Sequence, residues 1–480
     1  MSIAARFRPG QDLMRAFKRV HFVGIGGSGM SGIAEVMHNL GYTISGSDQS
    51  STGVTQRLAE LGIIVRRGHD AAHVAQVDVV VVSSAIHPDN PELVAARQRR
   101  LPVVPRAEML GELMRFRRGI AVAGTHGKTT TTSLIASVLA EGGLDPTFVI
   151  GGRLNSAGTH ARLGAGEYLV AEADESDGSF LLLQPVMAVV TNIDADHLEN
   201  FGGSFERLKR AFDEFLHRMP FYGLAVLCAD DVETRALAAR SPRAARTYGF
   251  AEDADVRATE VRQDGNQMHF LLHLPDEAPR PAVLNLPGRH NVQNACAAAA
   301  IALEIGVEAD TIVDGLARFA GVGRRFAIHQ DLLLSQGSVM FVDDYGHHPR
   351  ELRAVIEAAR GGWPDRRLVL AFQPHRYTRT RDLLDDFAEV LSLADAVVLS
   401  EVYSAGEAPI AGADGRALAR AVRSRGRIDP VFIQHPRDLV KVLPDLLRDG
   451  DLLLLQGAGD IGAVAQELES RGHLRSGVGQ

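Results

Sequence analysis

Short runs of apolar residues recur along the chain, and each run is bounded by glycine, aspartate or proline. The runs cover residues 77–82, 120–123, 186–190, 368–372, 396–399 and 452–455. Strands buried on both faces of a parallel sheet are apolar throughout, so these runs predict buried parallel strands. Helical periodicity fills segments between them, at residues 129–140, 205–216, 292–305, 351–359 and 381–391. This alternation predicts an α/β fold with doubly wound, mostly parallel sheets.

Chain length predicts more than one domain. A chain of 480 residues corresponds to about three domains of ordinary size. A charged stretch precedes the run at 120–123, and a helical segment ends near Phe319, which divides the chain into domains 1–115, 116–321 and 322–480. Asp264-Gly265 lies between two alternating runs and predicts a hairpin in the central domain.

Composition and charge exclude several classes of function. The net charge of −8 is spread along the chain without a basic block, so nucleic acid is not an expected partner. No run approaches the roughly 20 apolar residues of a membrane span. Cys228 and Cys296 lie far apart and have no zinc or disulfide spacing, which is typical of a reducing compartment. We therefore expect a cytoplasmic protein.

A glycine-rich turn follows the first apolar strand, at Gly24-Ile-Gly-Gly-Ser-Gly-Met30. Glycines in this pattern let the backbone approach a pyrophosphate, and an acidic residue after the next strand accepts a ribose hydroxyl. The candidate residues are Gly26, Gly27, Ser28, Gly29, Met30 and Asp48. The pattern predicts a site for a nucleotide or nucleotide-sugar, and a tight strand–helix turn without a ligand is the alternative.

The strongest single motif is a phosphate-binding loop (P-loop) after the run at 120–123. It comprises Gly124, Thr125, His126, Gly127, Lys128, Thr129 and Thr130. Backbone N–H groups of such a loop surround phosphates, the lysine adds a positive charge, and the hydroxyl after it binds Mg²⁺. Val122 stands where the strict motif has its first glycine. The loop predicts phosphoryl transfer.

Acidic residues follow two further strands of the central domain. Glu172 begins the segment Glu-Ala-Asp-Glu-Ser-Asp, and His197 closes the segment Thr191-Asn-Ile-Asp-Ala-Asp-His. The carboxyl ends of parallel strands share one edge of a sheet, so these groups predict a metal site beside the P-loop. A solvated acidic loop with a structural histidine is the alternative.

Four later segments carry amides, arginines and histidines. The amides of Asn291 and Asn294 suit a base or hydroxyl edge, although Asn291 also suits a helix cap. Either Arg324 or Arg325 presents a planar fork to phosphate, or the two form a surface pair. The strand ends at 343–349 and 373–379 suit recognition of carboxylate and amine groups, with zinc binding as a rival interpretation.

Taken together and in order, six motifs closely resemble the Mur ligase family. They are Gly24-Ile-Gly-Gly-Ser-Gly-Met30, Gly124-Thr-His-Gly-Lys-Thr-Thr130, Glu172-Ala-Asp-Glu-Ser-Asp177, Gly288-Arg-His-Asn291, Asp343-Asp-Tyr-Gly-His-His-Pro349 and Gln373-Pro-His-Arg-Tyr-Thr-Arg379. The resemblance spans nearly the whole chain. It implies a Rossmann-like domain for a UDP-sugar, a central P-loop domain for ATP and a Rossmann-like domain for an amino acid.

The resemblance also implies roles for individual residues. Catalysis would rest on Lys128, Glu172, His197 and His347, with Mg²⁺, or Mn²⁺ as an alternative, on Thr129, Glu172 and His197. Adenine and ribose would contact Asn291, Asn294, Arg325 and Asp344. L-Alanine would contact Tyr345, His347, His375, Arg376 and Arg379.

The implied reaction belongs to peptidoglycan precursor synthesis, in a monomer or weak homodimer. The lactyl carboxylate of UDP-N-acetylmuramate attacks the γ-phosphate of ATP, and the amine of L-alanine then attacks the acyl phosphate. Three alternatives remain: a murein peptide recycling ligase, which carries Asp-Asp-Phe-Ala-His-His-Pro in the fifth motif, an NAD-dependent oxidoreductase that uses the first glycine turn, and a non-catalytic nucleotide sensor.

Overall fold

The computed structural model describes residues 14, 17–83, 85–335 and 337–474. Contacts within the chain define two units. The first contains Met1–Thr259, Leu271–Ala282 and Gln293–Ala320, and the second contains Glu260–Phe270, Val283–Val292 and Gly321–Gln480. Among the described residues, no helix combines the length and the apolar character that a membrane crossing requires.

The first unit begins with a five-stranded sheet in the order β3-β2-β1-β4-β5, in which all neighbours are parallel. Its strands are β1 (Arg19–Val23), β2 (Thr43–Asp48), β3 (Ile64–Arg67), β4 (Val79–Val82) and β5 (Val103–Pro105). Its helices are α1 (Ser28–Asn39), α2 (Gly53–Glu60), α3 (Pro91–Gln98) and α4 (Arg106–Arg115). The strand order reverses direction between β1 and β4, which is where open α/β sheets bind ligands.

The buried carboxylate of Glu92 connects three histidines beside the five-stranded sheet. Glu92 accepts hydrogen bonds from Ser47 Oγ at 2.7 Å, His73 Nδ1 at 2.6 Å, His69 Nδ1 at 2.8 Å and His21 Nε2 at 3.3 Å. Burial alone would raise the pKa of Glu92, but the four hydrogen bonds lower it to about 2. The donors fill the acceptor positions of the carboxylate, so the cluster is a hydrogen-bonded structural network.

A ten-stranded sheet follows in the order β15-β14-β13-β12-β11-β10-β6-β9-β7-β8. Its strands are β6 (Arg118–Ala123), β7 (Thr147–Leu154), β8 (Thr159–Arg162), β9 (Tyr168–Glu172), β10 (Met187–Val190), β11 (Leu224–Cys228), β12 (Ala244–Gly249), β13 (Val256–Asp264), β14 (Gln267–His273) and β15 (Arg280–Leu284). The associated helices are α5 (Lys128–Glu141), α6 (Phe205–His217), α7 (Val232–Arg240), α8 (Arg289–Ile305) and α9 (Ala309–Ala317). The predicted hairpin at Asp264-Gly265 is confirmed, since it joins the neighbouring strands β13 and β14.

The second unit is built on a sheet in the order β16-β18-β22-β19-β20-β21, with β17 paired to β18. Its strands are β16 (Ala327–Ile328), β17 (Leu332–Leu333), β18 (Ser338–Asp344), β19 (Leu368–Phe372), β20 (Ala396–Leu399), β21 (Val431–Phe432) and β22 (Leu452–Gln456). Its helices are α10 (Pro349–Gly362), α11 (Tyr377–Asp382), α12 (Leu384–Leu391), α13 (Gly415–Ser424), α14 (Leu439–Leu446) and α15 (Ile461–Arg471). All pairs are parallel except those of β16 and β17.

The predicted fold class is confirmed, and one predicted helix is wrong in detail. The single helix predicted at 381–391 is two helices, α11 and α12, separated at Leu383 with φ −117° and ψ 24°. Leu383 ends the first helix and begins the second. A break of one residue keeps the apolar spacing on both sides nearly unchanged, so hydrophobic periodicity does not record it.

Candidate active site

The P-loop leaves the strand β6, and β6 lies between two strands that end in acidic segments. Val122 pairs with Glu172 of β9, and Ala123 pairs with Val190 of β10. All three strands are parallel, so their carboxyl ends share one edge. The geometry brings the P-loop, Glu172 and the segment leading to His197 together at this edge, as the sequence predicts.

Two glycines give the P-loop its shape. Gly124 has φ +124°, and a Cβ atom there would lie 2.1 Å from Thr191 Oγ1. Gly127 has φ +83° and a Cβ atom there would lie 2.9 Å from Asn294 Oδ1, so the loop passes close to that amide. Gly127 is also the N-cap of α5, and as a glycine it makes no side-chain cap hydrogen bond. The N–H groups at the start of a helix carry a partial positive charge, which favours an anionic ligand at this loop.

The residues that follow β10 hold the P-loop in place. Asn192 accepts a hydrogen bond from the backbone N–H of His126 at 2.9 Å and donates one to its carbonyl at 3.0 Å. The backbone N–H of Asp194 donates to Thr125 Oγ1 at 2.9 Å, and its carboxylate lies 3.3 Å from His126 Nε2. Thr125 and His126 therefore shape the loop through the neighbouring strand end.

Lys128 is the first residue of α5, and its ammonium is fully engaged by the protein. Nζ donates to the carbonyls of Gly124 at 2.6 Å and Thr125 at 3.2 Å, and it lies 2.9 Å from each carboxylate oxygen of Glu175. Burial opposes the charge, but Glu175 and Asp174 outweigh it and raise the pKa of Lys128. The lysine is therefore a protonated, positioned cation.

Glu172 is positioned by a glycine on a neighbouring strand. The N–H of Gly151 donates to Glu172 Oε1 at 2.8 Å, and a Cβ atom at Gly151 would lie 2.9 Å from Oε2. Thr129 is buried at the start of α5 with 7% exposure, and His197 sits in a left-handed turn with φ 56°. His197 Nε2 lies 3.6 Å from the carboxylate of Asp196. These residues offer two oxygen donors and one imidazole nitrogen at the same sheet edge.

Asp48 braces the first glycine-rich turn. Its Oδ2 accepts a hydrogen bond from the N–H of Gly26 at 2.9 Å, and its Oδ1 accepts one from Ser50 at 3.0 Å. Gly27 is the N-cap of α1, and no described side chain caps this helix. In the fold, the Asp48 carboxylate stabilises the glycine turn through its hydrogen bond with Gly26. Its contact with a ribose stays a prediction.

The glycine turn also adjoins a cavity. A Cβ atom at Gly29 would lie 2.4 Å from Arg106 Nη1, so the glycine gives the guanidinium its space. Arg106 lies 3.8 Å from Asp174. A cavity of about 300 Å³ is lined by Ser83, Ile86, Arg97, Arg106 and Ser179, among others. Met30 is buried in the core, where its Cγ would lie 3.8 Å from a Cβ atom at Gly27. The Ser28 side chain lies outside the described part.

The two asparagines of α8 have different surroundings. Asn291 is buried, and its Nδ2 donates to the Pro287 carbonyl at 2.7 Å, so the amide stabilises the helix start. Asn294 lies against Gly127 of the P-loop. Of the pair, Asn294 is the one that lies beside the P-loop.

Asp344 is enclosed at the end of β18 in the second unit. Its oxygens accept hydrogen bonds from the N–H groups of Phe326 at 2.8 Å and Gly346 at 2.7 Å, and from Gln456 Nε2 at 3.1 Å. Burial raises the pKa of Asp344, and Arg325 opposes this shift. The carboxylate fixes the loop that carries Arg325.

The structure separates the roles of the two arginines. Arg324 is bound to Asp343 at 3.0 Å and to the Gly457 carbonyl at 2.6 Å. The guanidinium of Arg325 lies 5.2 Å from the ring centre of Tyr345, and that of Arg324 lies 5.3 Å from the same ring. Arg324 is therefore a structural residue, which leaves Arg325 as the candidate for nucleotide contact.

An aromatic cluster forms the candidate amino-acid site. His347 lies 5.3 Å from His375, and His375 stacks on Tyr403 at 5.5 Å with an interplanar angle of 16°. The backbone N–H of His347 donates to Glu351 at 2.8 Å. Burial lowers the pKa of His347 to about 3, with Arg379 and His375 acting in the same direction against Glu351. The imidazole is therefore neutral at physiological pH.

Arg376 has a strained backbone and a carboxylate partner. Its φ is 73°, and its guanidinium lies 3.4 Å from Glu407, which also accepts a hydrogen bond from Thr378 Oγ1 at 2.8 Å. Arg379 is buried and lies 3.4 Å from Nδ1 of His375. The second unit thus brings together Tyr345, His347, His375, Arg376 and Arg379 around the ends of β18 and β19.

Four residues that position this chemistry are not among the predicted site residues. Glu175 stands among several acidic residues after β9, and Asn192 stands in the segment that ends at His197. Tyr403 and Glu407 follow β20, and the rule that ligands bind beyond the carboxyl ends of parallel strands points to that loop as well. The signal was present, but no motif distinguished these residues from ordinary loop residues.

Comparison with known proteins places this geometry in a family. Models of the Mur ligase catalytic domain, the Mur ligase middle domain and the Mur ligase glutamate ligase domain match residues 19–118, 122–302 and 324–459. UDP-N-acetylmuramate–L-alanine ligases from Xanthomonas euvesicatoria pv. vesicatoria and Xanthomonas campestris pv. campestris are each 65% identical over 470 residues, which is 98% of this chain and 98% of each relative.

Solved structures agree with the sequence comparison. UDP-N-acetylmuramate-alanine ligase MurC from Thermotoga maritima superposes with a TM-score of 0.81 at 31% identity, over 94% of this chain and 98% of that chain. A murein peptide ligase from Psychrobacter arcticus shares the fold, with a TM-score of 0.70 at 24% identity over 96% of this chain and 100% of its own. The chain therefore belongs to the Mur ligase family.

Proposed function

We propose that this protein is an ATP-dependent ligase that joins L-alanine to the lactyl carboxylate of UDP-N-acetylmuramate in peptidoglycan precursor synthesis. One observation carries the proposal. The P-loop with its engaged Lys128 leaves a strand that lies between the strands ending in Glu172 and in the segment of His197. The names of relatives that are 65% identical over 98% of the chain support the choice of acid and amine.

The first half of the reaction is phosphoryl transfer in the first unit. The N–H groups at the start of α5 and the ammonium of Lys128 bind the phosphates of ATP. The lactyl carboxylate attacks the γ-phosphorus, the bond to the bridging oxygen of ADP breaks, and an acyl phosphate forms. Lys128 stabilises the negative charge that develops on the transferred group, which is a type of contribution worth several kcal/mol, roughly 3–4 in comparable sites.

The metal-binding residues fit a hard divalent cation. The hydroxyl of Thr129 and the carboxylate of Glu172 are oxygen donors of the kind that Mg²⁺ prefers, and the imidazole of His197 also accommodates Mn²⁺. Gly151 holds the Glu172 carboxylate at the sheet edge through the 2.8 Å hydrogen bond. When bound, the cation neutralises phosphate charge.

The substrates are assigned to the remaining clusters. The glycine turn at Gly26–Gly29, with Asp48, binds the UDP-sugar, and the adjoining cavity beside Arg106 suits its acidic part. Asn294 and Arg325 bind the nucleotide of ATP, with Asn291 and Asp344 shaping the segments beside them. His347, the neutral imidazole, contacts the amine of L-alanine with Tyr345 and His375, while Arg376 and Arg379 bind its carboxylate.

The second half of the reaction forms the amide. The amine of L-alanine attacks the carbonyl carbon of the acyl phosphate, and the tetrahedral intermediate collapses with loss of inorganic phosphate. We assign the domains to residues 1–115, 116–321 and 322–480, which the three family-model matches support. The protein acts in the cytoplasm as a monomer or weak homodimer, without a nucleic-acid partner.

Phosphate release measured with purified substrates tests this function. Phosphate appears from ATP only when both UDP-N-acetylmuramate and L-alanine are present, and Lys128→Ala abolishes the release. The murein tripeptide replaces L-alanine in a parallel reaction, and faster turnover with the peptide would identify a recycling ligase instead. Phosphate release that ignores either substrate would refute the ligase function.

A further inference from the structure

The P-loop lysine and Glu175 form a buried ion pair at the place where a phosphate must bind. Glu175 is 2% exposed, and both of its carboxylate oxygens lie 2.9 Å from Nζ of Lys128. Oε2 has no hydrogen-bond donor among the described residues, so the ion pair is its main compensation. Among the described residues, Lys128 of the P-loop is the cation that acts on this buried carboxylate.

The ammonium of Lys128 has three protons, and the protein uses all of them. The carbonyls of Gly124 and Thr125 accept two, and Glu175 accepts the third. The two carbonyls lie four and three residues before the lysine in the P-loop itself, whereas Glu175 lies 47 residues away, beyond β9. Exchange of a carbonyl would require the P-loop backbone to move, whereas exchange of the carboxylate would not. A phosphate oxygen must therefore replace the carboxylate of Glu175.

The charges around this pair favour such an exchange only with a highly charged ligand. Asp174 acts on both Lys128 and Glu175, and burial raises the pKa of Glu175 while the lysine opposes that shift. Removing the ammonium from Glu175 leaves a carboxylate in a site with other carboxylates. A ligand that replaces Glu175 as the partner of the ammonium must carry enough negative charge to offset the cost of leaving this carboxylate without its cation.

We infer that Glu175 is an internal competitor for the ammonium of Lys128, which weakens nucleotide binding until a polyphosphate displaces it. Glu175 is a positioning residue, since it acts through Lys128 and does not itself bind the nucleotide. The inference rests on the proposed function, because it takes ATP as the ligand of the P-loop. It assigns to this site a requirement for a triphosphate over weaker anions.

Calorimetric titration with a non-hydrolysable ATP analogue tests the competition. Glu175→Gln keeps the shape and one acceptor but removes the charge, so we expect its Kd for the analogue to fall about tenfold. Glu175→Asp keeps the charge, and its Kd stays within about threefold of the parent value. Glu206→Gln, an exposed carboxylate with the same change of net charge, leaves the Kd unchanged. A Kd that stays constant or rises in Glu175→Gln overturns the inference.

A lysine variant separates competition from simple repulsion. In a Lys128→Met background the ammonium is absent, so the gain from Glu175→Gln shrinks to less than about threefold. An equal gain in both backgrounds overturns the role through Lys128. In Glu175→Gln, KM for ATP falls together with Kd for the analogue, while KM for L-alanine is unchanged. Replacing a residue needed only for folding would not tighten nucleotide binding.

The parent protein gives an answer that does not depend on any variant folding. In a crystal structure with the analogue, a phosphate oxygen takes the place of Glu175 beside Nζ of Lys128. A bound triphosphate with the ammonium still 2.9 Å from both carboxylate oxygens overturns the inference. A parent protein that binds no analogue refutes the proposed function instead, so the two failures are distinguishable.

Discussion

Replacing Gly151 by alanine places a methyl group against the Glu172 carboxylate. The new Cβ atom would lie 2.9 Å from Oε2 and 3.3 Å from Oε1, which is closer than such atoms approach. Gly151 has no left-handed backbone conformation, and the three heavy atoms nearest to the added carbon all belong to the side chain of Glu172, so the fold accepts the change. The carboxylate must move by roughly 0.5 Å, which is the tolerance of a metal-binding geometry.

The expected cost follows from the contact between Gly151 and Glu172, the proposed metal ligand. The N–H of Gly151 also donates to Oε1 at 2.8 Å, and displacement weakens this hydrogen bond. Changes to groups that orient metal ligands typically cost about 10–100-fold in metal affinity or activity. We therefore expect the Mg²⁺ concentration for half-maximal phosphate release to rise at least about tenfold, at constant melting temperature.

The assay is phosphate release as a function of Mg²⁺ at saturating ATP, acid and amine. Gly53→Ala is the matched control, because Gly53 has no atom within 4 Å of an added Cβ and no left-handed backbone. The control keeps the parent Mg²⁺ dependence. An unchanged Mg²⁺ dependence in Gly151→Ala would refute the assignment of Glu172 to the metal.

Three further variants test other parts of the structure. Tyr403→Leu removes the ring stacked on His375, a contact worth about 1 kcal/mol, so KM for L-alanine rises about fivefold in steady-state assays while KM for ATP is constant. Gly124→Ala forces a Cβ atom to within 2.1 Å of Thr191 Oγ1, and titration with the ATP analogue detects no binding. Glu92→Gln removes a carboxylate whose pKa is lowered to about 2 in the folded protein. Above pH 4.5 we therefore expect the free energy of unfolding of the parent protein to exceed that of the variant by roughly 3 kcal/mol. Denaturant unfolding measures this difference, which shrinks as pH falls from 4.5 towards 2. A difference that grows in that range would contradict the stabilising role of the hydrogen bonds to Glu92.

The sequence predicted the framework of the central site because its determinants are local. A P-loop needs glycines at fixed positions, and the parallel strands around it are continuous apolar runs, so a P-loop beside acidic strand ends follows from pattern alone. The strand order that places β6 between β9 and β10 comes from the structure. The hairpin at Asp264-Gly265 is local in the same sense. The broken helix at Leu383 shows the limit, since periodicity averages over several residues.

The sequence did not predict which polar groups the fold itself uses. Asp48, Asn291 and Asp344 carry the expected chemistry, yet each forms a hydrogen bond with a backbone group of the fold. Gly151 and Glu175 act through contacts between residues 21 and 47 positions apart. Such contacts depend on strand register and on side-chain packing, which a single sequence does not record.

Transfer of an oxygen atom from the sugar acid to phosphate tests the central claim most directly. UDP-N-acetylmuramate labelled with ¹⁸O in its lactyl carboxylate reacts with ATP and L-alanine, and the ¹⁸O content of the released phosphate is measured by mass spectrometry. An acyl phosphate breaks at the carbon–oxygen bond, so each phosphate released carries one ¹⁸O from the carboxylate. Phosphate without the label would contradict activation of the carboxylate by ATP at the P-loop.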